Sequence, residues 1–208
     1  MNRSLSAVLT GITTVMAQAR QESPVRPQSP SIDLPKVAEN KTGLSAVVGN
    51  ARRVIIVPGY GMAVAQAQDK VKELIDKLEQ SGKEVKIGIH PVAGRMPGHM
   101  NVLLAEVGID YDKLYDMETI NPEFEKTDLT IVVGACDVVN PSANTAEDTP
   151  IYGMPILEVD KSRHIIVCNL DEKPGYSGVE NSLYSMENVT TIWGNASETV
   201  PIITRACN

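Results

Sequence analysis

The chain has few aromatic residues, few cysteines and few histidines, and it carries no excess of positive charge. Aromatic side chains make up 4% of its 208 residues, and the single tryptophan, Trp193, is expected to be a packing residue. The three cysteines form no C-x-x-C pair, which argues against a disulfide scaffold and for a reducing compartment. The three histidines do not combine with them at metal-ligand spacing, so we expect no metal site. The net charge of −7 argues against nucleic-acid binding, because phosphate neutralisation needs a basic surface.

The sequence also lacks a hydrophobic run long enough to cross a membrane. Residues 1–19 are weakly apolar and are interrupted by Ser, Thr and Gly, so they are closer to a short signal peptide than to a span. Residues 20–41 are rich in Pro, Ser, Gln and charge, which is typical of a linker. We therefore divide the chain into an N-terminal segment with a linker, 1–50, and one folded domain, 51–208. A short helix over 43–50 is expected to lead into that domain.

The stretch 53–80 organises the folded domain. Its β-branched residues at 54–57 predict a buried parallel strand. Gly59 and Gly61 follow, and a tight turn that touches a pyrophosphate needs residues without a Cβ. The next apolar side chains repeat at helical spacing, at Val71, Leu74, Ile75 and Leu78. Strand, G-x-G-x-x-V and helix form the dinucleotide-binding fingerprint, although Val64 stands where Gly or Ala is more usual; the alternative is an ordinary glycine turn.

Apolar segments alternate with helical stretches along the whole domain. This pattern predicts an α/β fold, a doubly wound six-stranded parallel sheet in a single domain. The predicted strands lie at 54–57, 85–89, 111–117, 129–133, 164–168 and 189–193. Gly82 is expected to end the first long helix, and further helices are predicted over 100–107 and after Ala196. Residues 141–150 are predicted to be a loop.

Three loops carry candidate binding residues. The loop 90–99 lacks the acidic residue that binds ribose in the ordinary dinucleotide fold, and has Arg95 instead. An arginine beside flexible backbone before a helix suits an anion; the alternative is a solvated surface arginine. In the small residues after 133, Asp137 is either an acceptor for a ligand or a helix N-cap. The loop 169–181, rich in Gly and charge, is either a lid over a ligand or a plain surface connection.

Long motifs fill these loops and the elements next to them. They are Pro-Gly-Tyr-Gly-Met-Ala-Val-Ala-Gln-Ala-Gln at 58–68, Gly-Ile-His-Pro-Val-Ala-Gly-Arg-Met-Pro-Gly at 88–98, Asn-Val-Leu-Leu-Ala-Glu at 101–106, Gly-Met-Pro-Ile-Leu-Glu-Val at 153–159 and Gly-Tyr at 175–176. Together they resemble the NADP(H)-binding third domain of proton-translocating nicotinamide nucleotide transhydrogenase, over about 54–193. Residues 1–5 also resemble the segment that follows the family's last membrane helix. This implies a soluble domain of a longer membrane protein, on the cytoplasmic or matrix side of an energy-transducing membrane.

The resemblance implies a function. In the family, hydride passes directly between NADP(H) on this domain and NAD(H) on a partner domain, and proton translocation is coupled to how this domain holds its nucleotide. The expected cofactor is NADP(H). The expected partners are the NAD(H)-binding domain and the proton-channel membrane domain of the same enzyme. Because a hydride step needs no side-chain acid or base, we assign no catalytic residue and no metal ligand; the protein's contribution is positioning.

The resemblance also implies which residues line the cofactor. The family holds its nucleotide in the reverse direction relative to the usual fold, which fits the missing acid and the presence of Arg95. The loop 169–178 is expected to close over the nucleotide, and Asp137 is the candidate coupling residue. The expected cofactor-binding residues are Gly59, Tyr60, Gly61, Val64, Val92, Ala93, Gly94, Arg95, Met96, Pro97, Gly98, Gly134, Ala135, Cys136, Asp137, Val138, Asn169, Leu170, Asp171, Gly175, Tyr176, Gly194, Asn195 and Ala196.

Three departures from the family pattern bear on the ligand. Cys136 stands where the family has Asn, and residues 197–208 are not matched to the family. More important, the family's Lys-Arg-Ser, which holds the 2′-phosphate of NADP, is Asn-Leu-Asp at 169–171. Asp171 would repel a phosphate and would accept a hydrogen bond from a ribose 2′-hydroxyl.

These departures leave alternatives open. One is an NAD(H)-preferring variant of the same domain, and another is a non-catalytic dinucleotide-sensing module. A self-sufficient dehydrogenase would need a substrate site with an acid, a base or a metal, and no such constellation is evident.

Overall fold

The architecture is a parallel sheet with helices packed on it. The computed structural model describes the backbone of residues 36–37 and residues 43–207. The strands of this part are β1 (Lys36–Val37), β2 (Arg53–Pro58), β3 (Glu84–Ile89), β4 (Leu114–Asp116), β5 (Leu129–Val133), β6 (His164–Asn169) and β7 (Val189–Trp193). Strands β2 to β7 pair in parallel, which confirms the predicted six-stranded α/β fold. The two-residue β1 adds an antiparallel pair beside β7, within the stretch predicted as a linker.

The α-helices of the described part are α1 (Leu44–Asn50), α2 (Tyr60–Val64), α3 (Gln68–Gln80), α4 (His99–Glu106), α5 (Met117–Ile120), α6 (Ser142–Thr145) and α7 (Ala196–Ala206). The predicted helices at 43–50, after Gly61, at 100–107 and after Ala196 are present, and two single-turn helices, α5 and α6, are additional. The predicted short helix over 43–50 is confirmed as α1. The segment 1–19 and the linker residues up to 35 and from 38 to 42 lie outside the described residues. In residues 43–207, no helix combines the length and apolarity that a membrane crossing requires.

The sheet is apolar on both faces because helices or loops cover each of them. Along β2, Val54 and Ile56 join the core that contains α1, α3, α4 and α7, including the predicted Val71, Leu74, Ile75 and Leu78. Ile55 and Val57 point to the other face and pack with Phe124 and Leu157. Fully burying one such side chain contributes about 1.5–3 kcal/mol. The continuous apolar run at 54–57 therefore has the buried, central position that it predicted.

The predicted long helix after Gly61 is interrupted at Gln66. This residue has a left-handed φ of 50°, and it separates α2 from α3. Gln66 N–H donates to the carbonyl of Ala63, and Ala67 N–H donates to that of Met62, at 3.1 and 3.0 Å. These bonds satisfy the last carbonyls of α2, as in a Schellman motif, so a non-glycine residue is held in this conformation. Gly82 (φ 78°) follows the end of α3, as predicted.

Two predicted boundaries are wrong. The predicted strand over 111–117 has strand pairing only over Leu114–Asp116, because Tyr111–Lys113 forms a 3₁₀ turn and α5 begins at Met117. The carboxylate of Asp116 accepts from Thr119 N–H at 2.8 Å, so it caps α5 and ends the strand. The predicted loop 141–150 contains the single helical turn α6, which starts directly after Pro141.

The strand order defines a switch point between β2 and β5. From β2 the chain continues to β3 and β4 on one side, and later to β5, β6 and β7 on the other. The loops that leave β2 and β5 therefore run in opposite directions from neighbouring strands. In open α/β sheets the crevice at the carboxyl ends of two such strands is where ligands bind.

Candidate functional site

Every predicted binding residue lies at one edge of the sheet. Because β2 to β7 are parallel, the loops that follow β2, β3, β5, β6 and β7 all leave from the carboxyl edge. The predicted residues belong to these loops and to the first turns after them. A network of contacts joins each loop to its neighbour. We call the five loops together the carboxyl edge.

The glycines after β2 pack against the loop after β5. A Cβ on Gly59 would lie 2.3 Å from the carbonyl oxygen of Gly134, and one on Gly61 would lie 2.8 Å from its Cα. Gly134 has φ 68°, and a Cβ there would lie 2.3 Å from Met62 N. Gly61 N–H donates to Gly134 O at 2.8 Å. The missing side chains therefore allow two backbones to touch at the switch point, while the side chain of Val64 is exposed.

The loop after β3 contacts the turn after β2 through Arg95. Its Nε donates to the hydroxyl of Tyr60 at 2.6 Å, and its guanidinium lies 5.0 Å from the centre of that ring. Arg95 forms no ion pair with any residue in the described part of the chain. Tyr60 thus holds the side chain of Arg95 in place, and no described residue neutralises its positive charge. A freely solvated surface arginine would lack such a fixed position.

The remaining residues of this loop share a compact turn. Gly94 (φ 100°) packs against His99, whose Nδ1 accepts from Arg95 N–H at 3.1 Å. Ala93 is buried, and Gly98 (φ 76°) precedes α4. The apolar residues Val92, Met96 and Pro97 of the loop are exposed to solvent.

His90 anchors the start of the same loop. Its Nδ1 accepts from Val92 N–H at 3.2 Å, so its Nε2 carries the proton and donates to Pro155 O at 2.8 Å. Burial lowers the pKa of His90, and the bond to Pro155 opposes this change. The neutral ring of His90 therefore links the end of β3 to the segment that contains Pro155.

Asp137 binds the long loop after β6. Its carboxylate accepts from Ser177 N–H at 2.9 Å and from Ser177 Oγ–H at 2.7 Å. Gly175 lies directly against this carboxylate, where a Cβ would be 2.8 Å from Oδ1. Cys136 is the residue that precedes the 3₁₀ turn, and Asp137 makes no capping bond. Of the two predicted roles for Asp137, the N-cap is thus wrong, and the observed acceptor role is toward the loop.

A buried polar cluster lies between the ends of β5 and β6. Asn169 Nδ2 donates to Ala135 O at 2.8 Å and to the hydroxyl of Tyr184 at 2.7 Å. Tyr184 Oη–H in turn donates to Cys136 Sγ at 3.5 Å. Burial, and then the neighbouring Cys136, raises the pKa of Tyr184. Within the described residues, the buried Oδ1 of Asn169 has no hydrogen-bond partner. Buried polar atoms are nearly always paired, so this acceptor is a candidate for a ligand contact.

The loop after Asn169 contains no helix or strand up to Asn181. Leu170 and Tyr176 are exposed, and Asp171 accepts from Lys173 N–H at 3.1 Å and forms an ion pair with Lys173 Nζ at 3.4 Å. The middle of the loop is held by its contacts with Asp137, and its end is held by bonds from Asn140 Nδ2 to Glu180 O at 3.1 Å and from Asn181 Nδ2 to Cys136 O at 3.0 Å.

The last predicted group follows β7. Gly194 N–H donates to Asn169 O at 2.9 Å, which places this turn beside the β6 loop. The side chain of Asn195 caps α7 by accepting from Ser197 N–H at 3.0 Å, and Ala196 is buried. Trp193 packs edge-to-face on Tyr184 with ring centres 5.2 Å apart, as expected of a packing residue. Val138 is half-buried beside the second core.

The structure adds a cleft that the sequence predictions missed. It has a volume of about 490 Å³ and lies at the ends of β3 and β4, lined by Ile89, Pro91, Asn101, Leu114, Tyr115, Asp116, Met117 and Glu118. Asp116 is paired in register with Ile89, so an acid does stand beside the end of β3, supplied by the next strand. The position of Asp116 beside Ile89 follows from the pairing register of β3 and β4, which the sequence alone does not show. A separate cavity of about 260 Å³ lies at the amino edge, beside Asp128 and Arg163.

Comparisons with known proteins show the family of the chain. Residues 1–206 match the protein family described as NAD(P) transhydrogenase beta subunit. The NAD(P) transhydrogenase subunit beta of Rhodospirillum rubrum is 49% identical over 162 residues, which are 78% of this chain and 35% of that protein. A second sequence of that name from the same species gives the same values. The chain thus spans about a third of the length of the curated relatives it matches.

Solved structures show the fold alone. A benzoylformate decarboxylase from Polynucleobacter necessarius superimposes with a TM-score of 0.51 at 13% identity. The match covers 91% of this chain and 30% of that chain. Such low identity carries no information on ligand or reaction.

Proposed function

The chain belongs to the NAD(P) transhydrogenase beta-subunit family, and we propose that it is the nucleotide-binding domain of such an enzyme. In this proposal the carboxyl edge holds a nicotinamide dinucleotide, and NADP(H) is the ligand that the family resemblance implies. The nicotinamide ring gives hydride to, or takes it from, NAD(H) on a partner domain. Proton movement through a membrane domain of the same enzyme is coupled to nucleotide binding here.

One observation carries the proposal: contacts join the loops on both sides of the switch point. Gly134 touches residues 59–61, Arg95 contacts Tyr60, and Asn169 contacts Ala135. The joined loops form a continuous rim along the carboxyl ends of β3, β2, β5 and β6. A dinucleotide is an elongated ligand that lies along such a rim, with its pyrophosphate at the switch point.

The residues of this rim fit binding and positioning. The bound nucleotide supplies the hydride chemistry. Arg95, which has no carboxylate partner in residues 43–207, is placed to meet a negative charge, and the exposed side chains of Val92 and Met96 offer apolar contact to a ring. Asp137 holds the β6 loop closed through Ser177. The rim thus supports direct transfer between two bound nucleotides, in which the protein fixes distance and orientation.

The same rim offers one observation in favour of NAD(H). In the β6 loop, Asn169 and Leu170 stand where the family resemblance implies the basic residues that hold a 2′-phosphate, and Asp171 adds a carboxylate beside them. NAD(H) is therefore the second candidate ligand of this domain.

Isotope transfer tests the proposed reaction. The chain is loaded with nicotinamide nucleotide that carries deuterium at the transferable position, and is mixed with an NAD(H)-binding transhydrogenase domain and oxidised acceptor nucleotide. We expect deuterium to appear in the acceptor without exchange with solvent, because the transfer is direct, and we expect no transfer when the partner domain is omitted. Turnover of an alcohol or a hydroxy acid by this chain alone would contradict the proposal.

A further inference from the structure

We infer that the adenosine ribose of the bound dinucleotide has a free 2′-hydroxyl and no 2′-phosphate, so that the ligand of this chain is NAD(H) and not NADP(H). The inference rests on the proposed function, because it concerns the nucleotide held at the same carboxyl edge. It follows from the hydrogen-bonding character of the two places where a ribose can lie.

The two places lie on either side of the switch point. With the pyrophosphate over the ends of β2 and β5, one nucleoside extends over the end of β3 and the other over the end of β6. A 2′-phosphate would therefore lie at one of these two ends, whichever direction the dinucleotide takes.

At the β6 end, Asn169 offers an acceptor and no donor. Both hydrogens of its Nδ2 are engaged, one by Ala135 O and one by Tyr184 Oη. Its Oδ1 is unpaired in the described structure, and the residue is 8% exposed. A phosphate has only acceptor oxygens at neutral pH, whereas a ribose hydroxyl donates one hydrogen. Asn169 therefore has no free donor to offer a phosphate.

The charges of the β6 loop lead to the same result. Asp171 and Glu172 are two carboxylates, and the nearby Lys173 is paired with Asp171. The segment 169–173 thus has a net charge of −1, from two acids and one lysine. A 2′-phosphate would bring a further charge of about −1.5 to −2 into this loop. Repulsion at this end disfavours NADP(H), while Asp171 can accept from a 2′-hydroxyl.

The β3 end is also unsuited to a 2′-phosphate. The cleft of about 490 Å³ at this end is lined by Asp116 and Glu118, and residues 43–207 contribute no Lys or Arg to its lining. The bond from Thr119 lowers the pKa of Asp116, so this carboxylate stays ionised at neutral pH. Arg95 is the only Lys or Arg of the loop 90–98, and its bond to Tyr60 turns it toward the end of β2, where the pyrophosphate lies. A ribose with a free 2′-hydroxyl, which can donate a hydrogen bond, fits the acidic cleft better than one with a 2′-phosphate.

Titration of the full 208-residue chain with NADH and with NADPH at one ionic strength tests the inference. We expect NADH to bind at least about tenfold more tightly, the effect of one hydrogen bond to a charged group. Equal or tighter binding of NADPH would overturn the inference and leave the proposed function standing. Binding of neither nucleotide would instead overturn the proposed function.

Three variants locate the selectivity. Asp171→Asn keeps the size of the side chain and removes its charge, so we expect the preference for NADH to fall about tenfold. Glu172→Gln makes the same change of charge one residue away and is the matched control; an equal loss of preference would overturn the assignment to Asp171. Arg95→Gln is expected to change the affinities for both nucleotides by the same factor. A selective loss of NADPH binding in Arg95→Gln would place the 2′-phosphate on Arg95 and overturn the inference.

Discussion

The turn after β2 and the loop after β6 lie at the same edge of the sheet, but different forces hold them. The backbone of residues 59–61 touches the backbone of Gly134 at distances that leave no room for a Cβ. Residues 170–181 form no helix or strand, and hydrogen bonds link them to the β5 loop. Ser177 donates to Asp137, Asn140 Nδ2 donates to Glu180 O, and Asn181 Nδ2 donates to Cys136 O. Packing fixes the first segment, whereas a few polar bonds fix the second. The second segment is therefore the one that can open without unfolding the domain.

Gly134→Ala tests the packed turn and should have the largest effect. The new Cβ would face a left-handed φ and a backbone nitrogen at 2.3 Å, so we expect a loss of about 3 kcal/mol or more in the free energy of unfolding. Gly178→Ala is the matched control, because Gly178 has a similar φ of 72° but no atom within 4 Å of the new Cβ. It should cost only about 1–2 kcal/mol. Urea unfolding measures both; equal losses would show that the contact at Gly134 contributes nothing.

Ser177→Ala tests the polar attachment of the loop. The substitution removes the bond from Oγ to Asp137 and the bond from Val179 N–H to Oγ, and leaves the backbone bond. We expect a loss of stability near 1 kcal/mol, and a larger rise in the amide hydrogen exchange of residues 170–181 than of β2 or β5. Ser185→Ala, which also removes one hydroxyl bond, is the control and should leave exchange in this loop unchanged. If Ser177→Ala raised amide hydrogen exchange equally across the whole domain, the loop would not open separately from the rest.

His90 should make the stability of the domain depend on pH near neutrality. Burial lowers its pKa in the folded state, so the unfolded chain binds the proton more tightly. Stability should therefore be highest well above the ordinary histidine pKa of about 6.5 and should fall as the pH drops through it toward the folded value. Unfolding of the wild type and of His90→Gln near neutral and mildly acidic pH measures the effect. The variant should lose less stability on acidification, and the same loss in both would contradict this origin.

Tyr60→Phe should have the smallest effect on the fold. It removes the bond from Arg95 but keeps the ring beneath the guanidinium, and both side chains face solvent. We expect a change of about 0.5 kcal/mol or less in the free energy of unfolding. Nucleotide affinity should fall more than stability, because Arg95 is no longer oriented. A variant with wild-type affinity would show that Arg95 does not depend on Tyr60 for its position.

The sequence predicted the elements that depend on local pattern. The apolar runs of β2, β5 and β6 and the helical spacing from Val71 to Leu78 follow from burial of neighbouring residues, and the structure confirms them. The family resemblance is likewise confirmed. The break at Gln66 and the short β4 were missed, because hydrogen bonds of the surrounding turns determine them.

Contacts between distant residues explain the rest of the candidate site. Gly59 contacts Gly134, and Asp137 accepts a hydrogen bond from Ser177. Both pairs are far apart in the sequence, so no local sequence pattern predicts these contacts. The position of Asp116 beside Ile89 depends on the register of β3 and β4. The unpaired Oδ1 of Asn169 depends on Tyr184, which comes from a 3₁₀ turn outside the predicted site. The candidate residues could thus be predicted from the sequence, but the bonds between them could not.

Backbone amide chemical shifts in a titration with NADH, and in parallel with NADPH, test most directly whether the carboxyl edge is the nucleotide site. The account predicts the largest changes at Tyr60, at residues 92–98, at Asp137 and at residues 169–178, with none around the amino-edge cavity beside Arg163. Changes centred on that cavity, with the carboxyl edge unaffected, would contradict it.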